Sequence, residues 1–366
     1  MALTNFTALT TEEKTVWSRD LWAAARNASF TMRFAGKGPN SMIQRITELT
    51  KSEKGDRAVL TLVADLEGDG VVGDYTMENN EEAIKAYDEV ITIDQLRNAN
   101  RLAGRMADQK SVVNFRGTSK DILAYWMADR IDQMSFLTLS GIAYTYNTSG
   151  VLRPVNPTGR NLSDLAFASD VSSPSVTRWR QWDETNGLSA GDNTAIVAAD
   201  TPSWEMLVET KALMKDQYIR GIKGPGGAEY YHVFMSPQGI AKLKQDSTFL
   251  ANLQNAGPRG EANPLFSGSM LTQDGLIIHE FRHVHTSATW GSGAVSGQAV
   301  LFCGAQALGM ADIGLPYWDE ETFDYGNQHG VSVGKIFGLL KPTFQSIYSG
   351  TSVVEDFGVL RVDTAI

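Results

Sequence analysis

Apolar residues recur at helical spacing along TSKDILAYWMADRIDQMSFLTLS, where Leu123, Met127, Ile131, Met134 and Leu137 share one face. The spacing predicts a helix over 118–140. Thr118 and Asp121 form an acidic variant of the capping box, and Gly141 closes the helix. At 1.5 Å per residue this is a rod of roughly 30 Å or more. A second stripe, Val16, Trp17, Leu21 and Ala24, predicts a helix over 10–27, capped by Thr10 or Thr11 with Glu12 and Glu13 in its first turn. Residues 28–50 are mixed and read as an extended arm.

The period changes to two in RAVLTLVADL (57–66), with Leu60, Leu62, Ala64 and Leu66 on one face and Thr61, Val63 and Asp65 on the other. That is a strand. VITI (90–93) is its return, and the glycine-broken EGDGVVGD (67–74) is the turn between them, so 51–93 forms an excursion closing on itself. Helices are expected over 94–106, from Trp204 to about Gln217 behind Thr201-Pro202-Ser203, and over 238–253. Strands are expected over 230–237, 275–284, 298–304, 331–345 and 357–364. Residues 142–201, rich in Gly, Ser, Thr, Asn and Pro, read as turns, short strands and loops. Helices and strands do not alternate regularly, so the class is α+β.

Composition narrows the function. The 366 residues carry a net charge of −10 and a pI near 5.1, which disfavours sequence-independent attraction to nucleic acid phosphates. No run of 18 apolar residues predicts a transmembrane helix, and MALTNFTALTTEEK lacks a signal-peptide pattern. The single cysteine, Cys303, excludes an intramolecular disulfide and a thiolate-rich metal site; it reads as a small buried apolar residue. Most of the 34 glycines lie between 141 and 350 and imply tight turns and close backbone approaches.

One stretch spells a catalytic motif. His279-Glu280-Phe281-Arg282-His283 matches H-E-x-x-H, and the function it would carry is a zinc metallopeptidase with His279 and His283 as ligands and Glu280 as base. That chemistry needs a helix. The segment follows Gly275, lacks an N-cap and is rich in Ile, Val, Phe, Thr and His, so a strand is predicted. In a strand the two histidines stand about 13 Å apart and share no metal. Asp65–Gly70 resembles the start of an EF-hand loop, but Thr76 stands where the bidentate Glu belongs. GSGAVSG (291–297) misplaces the third glycine of a dinucleotide fingerprint and precedes a strand. The residues define no convincing active site.

Three ordered blocks carry a resemblance. They are ADLEGDGVVGDYTMENNEEAIKAYDEVITIDQLRNA (64–99), DGLIIHEFRHV (274–284) and FDYGNQHGVSVGKIFGLLKPTF with DFGVLRVDTA (323–365). Together they resemble the major capsid protein family of tailed phages related to the N4-like podophages. The resemblance runs from about residue 15 to the end and is weakest over 142–200. It implies an α+β coat fold of the Hong Kong 97 (HK97) type: an N-terminal arm over 1–50, an extended loop over 51–93, a peripheral domain over 94–201 with its spine helix at 118–140, an axial domain over 202–325, and a C-terminal return over 326–366.

The implied function is structural, without catalytic residue, cofactor or metal. Copies of the chain would form the pentamers and hexamers of an icosahedral head in the virion, made in the host cytoplasm. That head would enclose double-stranded DNA without sequence-specific binding, and its further partners would be scaffolding, portal and decoration proteins. An encapsulin-like compartment shell shares the implied fold. Interface residues are expected at Gly68, Gly70, Gly73 and Asp74, which shape the loop tip, and at Glu81 and Glu82 on its return. Glu280 and Arg282 are expected to make ion pairs within or between subunits.

Overall fold

A computed structural model of the chain describes residues 19–25, 28–47, 57–63, 69–82, 86–110, 115–157, 159, 161–256, 271–291, 293–346 and 353–366. Of the helix expected over 10–27, residues 19–25 are described and are helical; the rest lie outside the described residues. A short helix, α1 (Arg105–Lys110), precedes the long one, α2 (Phe115–Ser140), which begins three residues before its expected start. All five stripe residues of α2 are buried, and from Met134 to Ser140 burial runs all the way round. Ser135 and Thr138 survive there because their hydroxyls donate to the carbonyls of Ile131 and Met134, each at 2.8 Å.

Two large sheets frame this helix. The first has five strands in the order β1 (Ala35–Gly36), β2 (Ile43–Ile46), β14 (Leu308–Phe323), β15 (Gln328–Leu340) and β5 (Asp94–Arg101). Its inner face buries Trp318, Val331, Val333 and Phe337 in one cluster with α2 and with Leu21 and Trp22. The second has nine strands. Seven follow the order β10 (Leu271–Gln273), β11 (Leu276–Glu280), β9 (Glu229–Met235), β13 (Val295–Cys303), β18 (Val359–Ala365), β6 (Trp179–Asp183) and β7 (Gly187–Ala190). β12 (Thr286–Trp290) pairs with β13, and β8 (Ile222–Lys223) with β9.

Helices α3 (Trp204–Asp216), α4 (Pro237–Gln245) and α5 (Ser247–Ala256) cover this sheet with Met206, Leu207, Met214, Leu243 and Phe249. Each such fully buried side chain contributes about 1.5–3 kcal/mol. Two antiparallel pairs stand apart from these sheets, β3 (Arg57–Val63) with β4 (Ala86–Thr92), and β16 (Thr343–Ser346) with β17 (Val353–Asp356).

Three expectations of secondary structure are corrected. Residues 94–101 are strand, not helix. Leu96 is the only large apolar residue of DQLRNANR, too little for a helical stripe, and the ladder to β15 from Asp94↔Phe337 to Arg101↔Gly330 prevails. The single helix expected over 238–253 is two. The Asp246 carboxylate accepts from the backbone N–H groups of Thr248, Phe249 and Trp204, which opens α5 and ties it to α3. The strand expected over 275–284 ends at Glu280, and a turn follows. The position between 325 and 326, expected to separate two domains, lies in the turn of the β14–β15 hairpin.

Candidate assembly interface

The β3–β4 hairpin has two faces. Ala58, Leu60 and Ile91 point inward and are buried with Ala311 and Leu340 of the first sheet. Glycines make room for them. A Cβ on Gly309 would stand 3.0 Å from Ile91 Cδ1 and 3.1 Å from Leu60 Cδ2, and one on Gly338 would stand 2.9 Å from Ile91 Cγ2. Glu89 accepts hydrogen bonds from the backbone N–H and the hydroxyl of Thr343. On the outer face, Val59 and Val90 pair across the strands and stay exposed.

Beyond the last pair, Val63↔Ala86, the chain departs into a tip described over 69–82. Gly70 and Gly73 adopt φ of 74° and 64°, which only glycine takes without strain, and no atom lies near where a Cβ would be. The hydrogen bonds of Asn80, to the carbonyls of Met77 and Thr76, stay within the tip. Val72, Tyr75 and Met77 are 75%, 82% and 61% exposed. Apolar side chains this bare, grouped in one short segment, make the tip a candidate contact surface. Of the expected interface residues, Gly70, Gly73, Asp74, Glu81 and Glu82 fall together here; Gly68 lies outside the described residues.

Glu280 and Arg282 lie elsewhere. Glu280 ends β11, exposed, with no ion pair among the described residues. Arg282 has left the strand, and its Nη2 meets Asp129 Oδ1 of α2 at 2.6 Å, within the subunit. His283 Nε2 stands 2.8 Å from the same oxygen, and these bonds hold the Asp129 carboxyl below the usual carboxylate range. His279 turns the other way, its Nε2 2.9 Å from Nδ1 of His232 on β9, in a box of Phe30, Phe34 and Phe234. Burial pushes both imidazoles down to about 4. The two histidines of H-E-x-x-H therefore serve different neighbours, and no group of three metal-ligating side chains occurs among the described residues.

Sequence reasoning missed the clamp at Asp132. This buried carboxylate of α2 accepts four hydrogen bonds: Ser29 Oγ at 2.6 Å, Phe30 N at 2.9 Å, Thr31 N at 3.1 Å and Thr31 Oγ1 at 2.6 Å. It fixes the N-terminal segment to the long helix. An acid beside Ile131 on an otherwise apolar face was the available signal. Also missed were the buried pairs Lys335–Asp312 and Lys341–Asp356, whose partners lie on different strands or segments, and Arg361–Asp363, two residues apart on the buried strand β18.

A long helix packed on a five-stranded sheet, a second sheet-and-helix lobe and a two-stranded hairpin make the HK97-type coat fold. A family model described as phage capsid protein matches residues 5–366, and the chain belongs to that family. The major capsid protein of Pseudomonas phage KPP25 is 55% identical over 371 residues, covering 99% of this chain and 97% of that protein. The capsid of Ralstonia phage GP4 superposes with a TM-score of 0.72 at 26% identity, covering 92% and 90% of the two chains. The Cyanophage Pam1 capsid shares the fold, with a TM-score of 0.71 at 19% identity over 99% of both chains. The family assignment sets aside both the metallopeptidase and the compartment-shell readings.

Proposed function

We propose that this chain is the coat subunit of an icosahedral phage head, assembling as pentamers and hexamers through heterologous contacts that close into rings. The observation that carries the reading is the β3–β4 hairpin, buried at its base in its own subunit and bare at its tip. A segment with exposed Val72, Tyr75 and Met77 gains stability by lying across a neighbour. In this reading residues 51–93 are the extended loop and 1–50 the arm. The peripheral domain is α2 with the five-stranded sheet, including β14 and β15. The axial domain is the nine-stranded sheet with α3, α4 and α5. Gly70, Gly73, Asp74, Glu81 and Glu82 act at the tip, with Gly68 beside them. Glu280, exposed and without an ion pair among the described residues, is available to a neighbour.

Scaffolding, portal and decoration proteins are the further partners. The net charge of −10 suits a shell that encloses double-stranded DNA without gripping it. Deleting 69–80 tests the reading. The variant should keep the circular dichroism of the parent and form no shells in electron micrographs; closed shells from it overturn the role of the hairpin.

A further inference from the structure

The tip is acidic, and a basic stripe on the same chain complements it. Residues 69–82 hold Asp69, Asp74, Glu78, Glu81 and Glu82 and no Lys or Arg. β5 is the last strand of its sheet among the described residues, and its exposed positions alternate, with Arg97 and Arg101 on the outer face while Leu96 packs inward. Arg105 and Lys110 continue the stripe on α1 and are exposed. None of the four cations is in an ion pair among the described residues.

Uncharged partners fix the three arginines. The stem of Arg97 crosses Gly334, where a Cβ would stand 2.7 Å from its Cγ. Arg101 lies 4.1 Å over the Phe323 ring and donates to Gln328. Arg105 Nε donates to the Gly326 carbonyl at 3.2 Å. The carboxylates nearest in the sheet are occupied or set apart. Asp94 accepts from the N–H groups of Gln95 and Ala166. Asp319 and Glu321 stand two strands away on β14, roughly 10 Å across the sheet. Asp108 on α1 lies within the stripe, and Asp324, in the turn whose Gly326 carbonyl holds Arg105, accepts from Asn327 Nδ2 at 3.0 Å. The guanidinium groups are thus positioned but not neutralised.

We propose that the acidic tip of a second copy of this chain docks along β5 and α1, its carboxylates facing Arg97, Arg101, Arg105 and Lys110. Tyr75 and Met77 then meet Met106, which is 68% exposed. Single exposed ion pairs contribute little, but opposed clusters orient an encounter and set its salt dependence. The inference rests on the hairpin reaching a neighbour, as proposed above.

Two experiments on the full chain test it. Glu78→Cys combined with Arg101→Cys, or with Arg105→Cys, is oxidised in assembled particles and run on a non-reducing gel; the native Cys303 is buried and does not interfere. A ladder of covalent multimers, absent from each single-cysteine variant, is expected; monomer alone from both pairs overturns the proposal. Reversing Arg97, Arg101 and Arg105 to Glu should lower shell yield at least about tenfold at about 0.15 M salt, and adding D74K, E78K and E81K should restore it. Unchanged yield after the basic reversal overturns the docking surface. Loss of shells on deleting 69–80 with no effect of that reversal leaves the hairpin's role standing and this surface wrong; shells that survive the deletion sink both.

Discussion

The base and the tip of one hairpin obey opposite rules. At the base, Leu60 and Ile91 are buried in a notch cut by Gly309 and Gly338. At the tip, Tyr75 and Met77 are bare and every charge is negative. Burial is local at the base and absent at the tip, so the same element belongs to its own subunit at one end and is available to another at the other. The difference separates two kinds of residue. Changes at the base should cost stability of the single chain; changes at the tip should cost assembly alone.

The largest break in that comparison comes from filling the notch. Gly338→Leu places a side chain against Ile91 and the Thr92 carbonyl, and should destabilise the chain by about 3 kcal/mol, read as a lower denaturation midpoint. A loss under about 0.5 kcal/mol would mean the hairpin is not seated there. Asp132→Ala is the next test of an internal anchor. It strands the hydroxyls of Ser29 and Thr31 and should cost about 2 kcal/mol while exposing residues 19–31 to proteolysis.

Acid provides a third. His232 and His279 titrate near 4 when folded and near 6.5 when unfolded, so the unfolded chain binds more protons between those values. Stability is therefore full above about pH 6.5 and falls toward pH 4, by about 1–2 kcal/mol over the first unit for the pair. His279→Phe should flatten that slope. The smallest effect belongs to the exposed acids: Glu81→Gln and Glu280→Gln should each change monomer stability by less than about 0.5 kcal/mol.

What the sequence revealed follows from the range of the forces involved. The long helix, the two strands of the hairpin and the strand over 275–280 were legible because burial imposes a period on neighbouring residues. β5 was misread because its order comes from β15, more than 200 residues away, and only Leu96 betrays an inner face. The break at Asp246 was hidden because a capping carboxylate and a helix-interior one look alike in sequence. Arg282 was expected in an ion pair, but its partner, Asp129, is 153 residues distant. The tip residues could be singled out as one segment, through glycines and a resemblance; the outward face of β5 could not, because a strand assigned as helix has no outer face to inspect.

Hydrogen exchange of the hairpin, compared between unassembled chain and purified shells, tests the central claim most directly. Amides of 57–60 and 89–92 should be protected in both states, and those of 69–82 should exchange freely in the single chain and slow by at least about tenfold in the shell. Equal exchange of the tip in both states would contradict an account in which that tip lies on a neighbour.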